Sequence, residues 1–140
     1  MSTDADFALD ARLAADTVHV GDLALCRVLL MDDARFPWLI LVPRRNGASE
    51  ITDLVPEDAR ALMEEMRIAT GVMLALAKPD KVNVAALGNV VPQLHVHVIG
   101  RFLSDPAWPR PVWGVGEAKP YPHHARAQMV ERIGALFAAA

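Results

Sequence analysis

A chain of 140 residues that is 53% hydrophobic and 22% charged holds enough apolar material for one cored domain and lacks the composition of a disordered protein. Its formal net charge of −3 excludes the broad basic face that non-specific nucleic-acid binding needs, leaving Arg44-Arg45 as a local basic site. A single cysteine, Cys26, excludes an internal disulfide and a cysteine-rich zinc site, so nothing points to an oxidising compartment.

The acidic start Met1-Ser2-Thr3-Asp4-Ala5-Asp6 lacks the basic residue and following apolar run of a secretory signal. The longest apolar run, Phe36–Pro43, falls far short of the roughly 20 residues needed to span a bilayer. These features predict a soluble cytoplasmic protein without a membrane partner. Asp6–Ala15 is expected to form a short helix with Phe7, Leu9, Leu13 and Ala14 on its apolar side. Thr17–Met31 then turns extended, with Gly21-Asp22 as the hairpin turn, and Asp32–Arg35 connects it to a second extended run, Phe36–Pro43. Arg44–Glu50 is a polar loop.

The strongest helix signal follows. Asp53 or Pro56-Glu57-Asp58 supplies a start, and Leu62, Met63, Met66, Ile68, Val72, Leu74 and Leu76 recur near helical spacing through about Ala77. Val82–Leu87 and Gln93–Phe102 are further strands, separated by Gly88–Pro92. Residues 103–122 are irregular, rich in Pro and Trp, and too apolar for a free linker. His123 onward resumes a helix with Met129, Ile133, Leu136 and Phe137 on one side. Strands and helices in runs predict a single α+β domain with an antiparallel sheet. No glycine-rich phosphate loop of the Walker or Rossmann kind is present.

The segment Gly88-Asn89-Val90-Val91-Pro92-Gln93-Leu94-His95-Val96-His97-Val98 carries the chemistry. On a strand, alternation would set Gln93, His95 and His97 on one face and Leu94, Val96 and Val98 on the other. An amide and two imidazoles on one face are costly to bury without partners. Histidine titrates near neutral pH, and its ring nitrogen can carry a transferred group. Asn83, Gly88 and Asn89 add donors that could surround a phosphoryl anion. Spacing alone leaves catalysis, metal ligation by His95 and His97, and an ordinary strand pair equally open.

The same residues resemble the signature of the histidine-triad (HIT) superfamily, in which three histidines alternate with apolar residues. Gln93 stands at the first histidine position, His95 at the second and His97 at the third. Asn83 and Gly88-Asn89 resemble that family's asparagine and glycine–amide positions, and Leu39–Pro43 its apolar strand ending in Val-Pro or Ile-Pro. The similarity runs from about Phe7 to Arg101. The tail, with Asp105-Pro106-Ala107-Trp108-Pro109 and Pro111-Val112-Trp113-Gly114, resembles a bacterial subgroup described as diadenosine polyphosphate hydrolase-like.

The resemblance implies a five-stranded antiparallel sheet with one long helix and a shorter C-terminal helix. It implies a HIT-like core over about residues 7–101, an arm and helix over 102–140, and a homodimer. It also implies attack by His95 on the α-phosphorus of a nucleoside polyphosphate, phosphoramidate or related derivative, through a nucleotidyl-histidine that water hydrolyses. His97 would support the phosphate, Asn83, Asn89 and the Val90 backbone would hydrogen-bond it, and Asp32 would bind ribose hydroxyls. No resident cofactor or metal is implied, although a divalent cation can accompany the nucleotide. Gln93 is the departure: an amide cannot shuttle a proton at neutral pH, so hydrolysis would be slower, restricted to good leaving groups or lost, leaving a nucleotide-binding protein. Duller expectations cover the rest: His19 is structural, His123 and His124 face solvent, Arg44-Arg45 lie in a solvated loop, and Trp38, Trp108 and Trp113 belong to core or interface.

Overall fold

The computed structural model describes residues 4–140; Met1–Thr3, part of the acidic start, lie outside the described residues. In chain order the elements are α1 (Ala11–Asp16), β1 (Thr17–Asp22), β2 (Cys26–Met31), β3 (Trp38–Pro43), α2 (Pro56–Ala77), β4 (Lys81–Ala85), β5 (Val96–Arg101) and α3 (His123–Ala139). The strands form one antiparallel five-stranded sheet in the order β1-β2-β3-β5-β4. This is the expected α+β, HIT-like architecture.

The sheet is covered on both sides, which is why β3 and β5 are buried along their whole length. Strand alternation divides their side chains. Val28, Leu30, Leu39, Leu41, Val96 and Val98 pack against α2 and α3 through Leu62, Ala69, Val72, Met73 and Ile133. Leu29, Trp38, Ile40, Val42 and Ile99 form a second cluster with Leu13 of α1 and with Ala107 and Val112 of the C-terminal arm. α2 approaches β5 so closely that a Cβ on Gly100 would stand 2.9 Å from Met73 Sδ and 2.8 Å from Pro37 Cγ. Glycine is the residue that lets both neighbours sit there.

Several boundaries differ from the sequence expectation, each for a tertiary reason. The N-terminal helix is shorter than Asp6–Ala15. Residues 7–10 are instead held outside it: Asn46 accepts from Ala8 N at 3.1 Å and donates to Asp6 O, and Gln93 bonds Asp10 N and Ala8 O. Asp10 then caps α1, accepting from Arg12 N at 2.8 Å.

The β1–β2 reversal falls on Leu23–Leu25, not on Gly21-Asp22, which end β1 after an irregularity between His19 and Gly21. Buried Glu65 of α2 accepts from Leu25 N at 2.9 Å and Cys26 N at 2.8 Å, and Arg44 donates to the carbonyls of Leu23, Ala24 and Cys26. Arg44 is thus a buried structural cation, and Arg45 pairs with Asp58 at 2.9 Å. Both side chains in this loop are therefore held by protein partners rather than left to solvent. Asp53 closes a short 3-10 turn, whereas α2 starts at Pro56, where the missing N–H costs nothing. No described helix is long and apolar enough to cross a membrane.

Candidate active site

β5 starts at Val96, so Gln93 and His95 precede the strand on which alternation would place them. The reason is partly local and partly tertiary. Gly88 adopts φ +75°, Pro92 has no N–H to give, and Leu94 N donates to Ala48 O at 2.9 Å rather than to a strand. Residues 86–95 therefore form a loop that curls over the sheet as a cavity wall. From it Leu87, Gly88, Asn89, Val90, Val91 and His95 line a cavity of about 320 Å³. His97, Ile40 and Met31 rise from the sheet, Arg12, Leu13 and Asp16 from α1, and Trp113 from the arm.

His95 and His97 are both buried, with ring centroids 4.9 Å apart and planes at 69°. The Nδ1 of His95 lies 2.6 Å from the carbonyl oxygen of Gln93. A carbonyl only accepts, so Nδ1 carries a proton, and in the uncharged form of the ring Nε2 keeps its lone pair. Trp38 Nε1 donates to His97 Nδ1 at 3.0 Å. Burial first, and then the neighbouring His95, push His97 down from 6.5 to about 4, so its ring is neutral at pH 7. Trp113 stands edge-on to His97 at 4.9 Å and to Trp38 at 5.9 Å.

The other expected site residues separate. Asn89 and Val90 line the cavity with the two histidines. Gln93 does not reach it; its Oε1 accepts from Asp10 N at 2.8 Å and its Nε2 donates to Ala8 O at 2.9 Å. The expected row of three polar side chains is corrected to a pair, with Gln93 contributing its backbone carbonyl. Asn83 accepts from Arg101 Nη1 at 2.8 Å and stands outside the cavity wall. Buried Arg101 in turn pairs with Asp105 at 2.8 Å. Burial opposes ionisation of Asp105, but the guanidinium and the N–H groups of Phe102, Ala107 and Trp108 outweigh it and hold the carboxyl at about 2.

Asp32 is also engaged: it accepts from Tyr121 N at 2.9 Å and pairs with Arg126 at 3.1 Å. It lines a neighbouring cavity of about 410 Å³, which shares Asp16, Met31 and Trp113 with the first. Trp38, Trp113 and Asp16, none of them expected from the sequence, also reach the site. The apolar, Trp-bearing arm was the available signal for Trp113. His19 is exposed and bonded to Asp22 at 3.0 Å, while His123 and His124 are exposed on α3. As for His95 and His97 as metal ligands, no group of three or more His, Cys, Asp or Glu suited to an ion occurs among the described residues.

Residues 12–103 match the family model described as the HIT domain. Among solved structures, a histidine triad protein from Bradyrhizobium japonicum is 44% identical and superposes with a TM-score of 0.91, covering 94% of this chain and 98% of that one. A histidine triad (HIT) protein from Sinorhizobium meliloti 1021 is 44% identical, with a TM-score of 0.92 over 94% of this chain and 97% of its own. A histidine triad protein from Marinobacter aquaeolei VT8 is 47% identical, with a TM-score of 0.92 over 95% and 97%. No curated protein matched the chain.

Proposed function

The chain belongs to the histidine-triad (HIT) family, and from that premise we propose that it is a nucleotide hydrolase or transferase whose nucleophile is Nε2 of His95. The observation that carries the reading is the 2.6 Å contact between His95 Nδ1 and the Gln93 carbonyl, made inside a cavity walled by Gly88, Asn89 and Val90. It leaves the lone pair on the other ring nitrogen without any prior proton transfer. In the proposed first step, that lone pair forms a P–N bond to the α-phosphorus while the bond to the leaving group breaks, and the leaving group takes the bonding electrons. Water then attacks phosphorus and loses one proton to solvent, the P–N bond returns its electrons to Nε2, and the nucleotide is released.

The Asn89 side chain and the Val90 backbone N–H would receive phosphoryl oxygens, and His97 would donate to the charge that develops there. Asn83 would act one step back, through Arg101, and Asp32 through the arm it anchors. Gln93 cannot act as an acid, which favours leaving groups that depart as phosphate anions. Dinucleoside polyphosphates, diadenosine forms among them, therefore lead over phosphoramidates. The scheme uses no resident cofactor, although a divalent cation would travel with the polyphosphate, and we take the working form to be a cytoplasmic homodimer.

The test incubates the protein with diadenosine polyphosphates and adenosine phosphoramidates and searches by mass spectrometry for a nucleotidyl group on His95. The expected result is an adduct on His95 that forms and decays with turnover. Nucleotide binding without adduct or turnover would replace this reading with a non-catalytic nucleotide-binding protein. That alternative draws on the absence of Gln93 from the cavity.

A further inference from the structure

Trp38 and His97 come from paired strands but are not directly opposite. The register sets Trp38 against Ile99 and Ile40 against His97, so the indole reaches its histidine along the diagonal of the β3–β5 pair. Diagonal neighbours on one face are within range of a large aromatic side chain. The outcome is a buried hydrogen bond of 3.0 Å from Trp38 Nε1 to His97 Nδ1.

The chemistry of that bond has one reading. An indole N–H can only donate, so the nitrogen that receives it must be unprotonated. A neutral His97 must then carry its hydrogen on Nε2. Double protonation would set two N–H groups against each other at that contact. The ring is also confined: Trp113 stands edge-on at 78°, His95 at 69°, and Trp38 at a tilt of 59°. Trp113 is itself held by the arm, where Arg35 Nη1 donates to Val115 O at 2.5 Å, Asp33 accepts from Lys119 N at 3.3 Å, and Asp32 accepts from Tyr121 N.

We propose that Trp38 is a positioning residue that locks His97 into the Nε2–H tautomer, opposite to the tautomer that the Gln93 carbonyl imposes on His95. In their uncharged forms the two adjacent imidazoles then present one lone pair and one N–H within the same cavity. His95 is set as the nucleophile and His97 as the donor, with no proton redistribution before attack. Their division of labour rests on the nucleotidyl-transfer reading above; the tautomer assignment does not. The low proton affinity of buried His97 agrees with this geometry, since the ring stays neutral at pH 7 and only its tautomer remains to be set.

The experiment has two arms. Long-range ¹H–¹⁵N spectra of histidine-labelled protein at pH 7, assigned with His95→Asn and His97→Asn, report the protonation of each ring nitrogen directly. Expected are an unprotonated Nδ1 and protonated Nε2 for His97, and the reverse for His95. A protonated Nδ1 on His97 overturns the proposal without recourse to any further variant. In the second arm, Trp38→Phe keeps an aromatic ring beside Trp113 and removes the donor together with part of the indole's buried volume. His97 is expected to become a mixture of tautomers, and formation of the His95 adduct to slow about five- to tenfold with little change in KM, the scale of one lost hydrogen bond. An unchanged Nε2–H tautomer in Trp38→Phe would also overturn it, because packing alone would then suffice. If wild-type protein forms no adduct, the nucleotidyl-transfer reading fails while the spectra still decide the tautomer.

Discussion

The two faces of the sheet are built on different terms. Against α2 and α3, every inward side chain of β3 and β5 is aliphatic, and the cluster runs unbroken from Leu25 to Ile133. The opposite face starts with the same aliphatic pattern in Leu29, Ile40 and Ile99, but it also carries Trp38 and His97 and is roofed by a short helix, a loop and an arm. On the first face the apolar area is closed by the long α2, whose own periodicity supplies most of the partner surface, together with α3 through Ile133. On the second, closure depends on side chain-to-backbone bonds from Asp32, Asp33, Arg35 and Gln93. The helical face therefore holds the domain together, and the roofed face uses that rigidity to keep two imidazoles buried without ion partners.

The sharpest way to separate the faces is to remove chemistry from one and a structural acceptor from the other. His95→Ala should lower turnover at least a thousandfold while leaving thermal unfolding within about 1 kcal/mol of wild type. Single-turnover kinetics and a melting curve test it, and a near-normal single-turnover rate would sink the covalent route. Glu65→Ala should do the reverse. It strands the N–H groups of Leu25 and Cys26 in the core, which should cost roughly 3 kcal/mol, with activity per folded molecule largely retained. Denaturant titration measures the first effect and active-site-normalised rates the second.

A third prediction uses pH. His97 binds its proton less well folded than unfolded, so between pH 6.5 and about 4 the unfolded chain holds more protons at this position. Stability contributed by the neutral ring is complete above pH 6.5 and falls as pH drops to about 4, by up to about 3 kcal/mol. Unfolding free energies across that window should be less steep in His97→Asn. Equal slopes in the two proteins would place the loss elsewhere, in groups such as the buried carboxylates.

The smallest expected effect belongs to Gln93→His. With the side chain bonded to Ala8 and Asp10 rather than aimed into the cavity, the new imidazole replaces a clamp on the N-terminal segment and supplies no acid to the leaving group. The expected outcome is a loss of about 1 kcal/mol of stability and rate changes that are equal for phosphoramidates and dinucleoside polyphosphates. Selective acceleration of phosphoramidates would show that position 93 does reach the departing group. The sequence alternation, which assumes an uninterrupted strand, predicts that second result.

This contrast shows where local pattern suffices. The helical spacing from Leu62 to Leu76 marked α2, the alternation of Leu39 with Leu41 and of Val96 with Val98 marked the buried strands, and the histidine spacing marked the region of the site. Such signals are legible because one periodicity serves both backbone geometry and burial. The β1–β2 turn was not legible, because its acceptor is a glutamate about 40 residues away on a helix. Nor were the extended residues 7–10, whose partners are Asn46 and Gln93.

The amino-acid order thus determined by itself the α+β class, the long helix, the apolar strands, and the presence of two histidines at a spacing suited to share a cavity. The tertiary structure decided which groups enter that cavity. It turned Gln93 toward the N-terminus, tied Asp32 to the arm and Asn83 to Arg101, and brought Trp38 and Trp113 onto His97. The physical reason is that a polar side chain goes to the strongest unsatisfied partner within reach. For Gln93, Asp32, Asn83 and Trp38 those partners lie 83, 89, 18 and 59 residues away along the chain, where no local periodicity can register them.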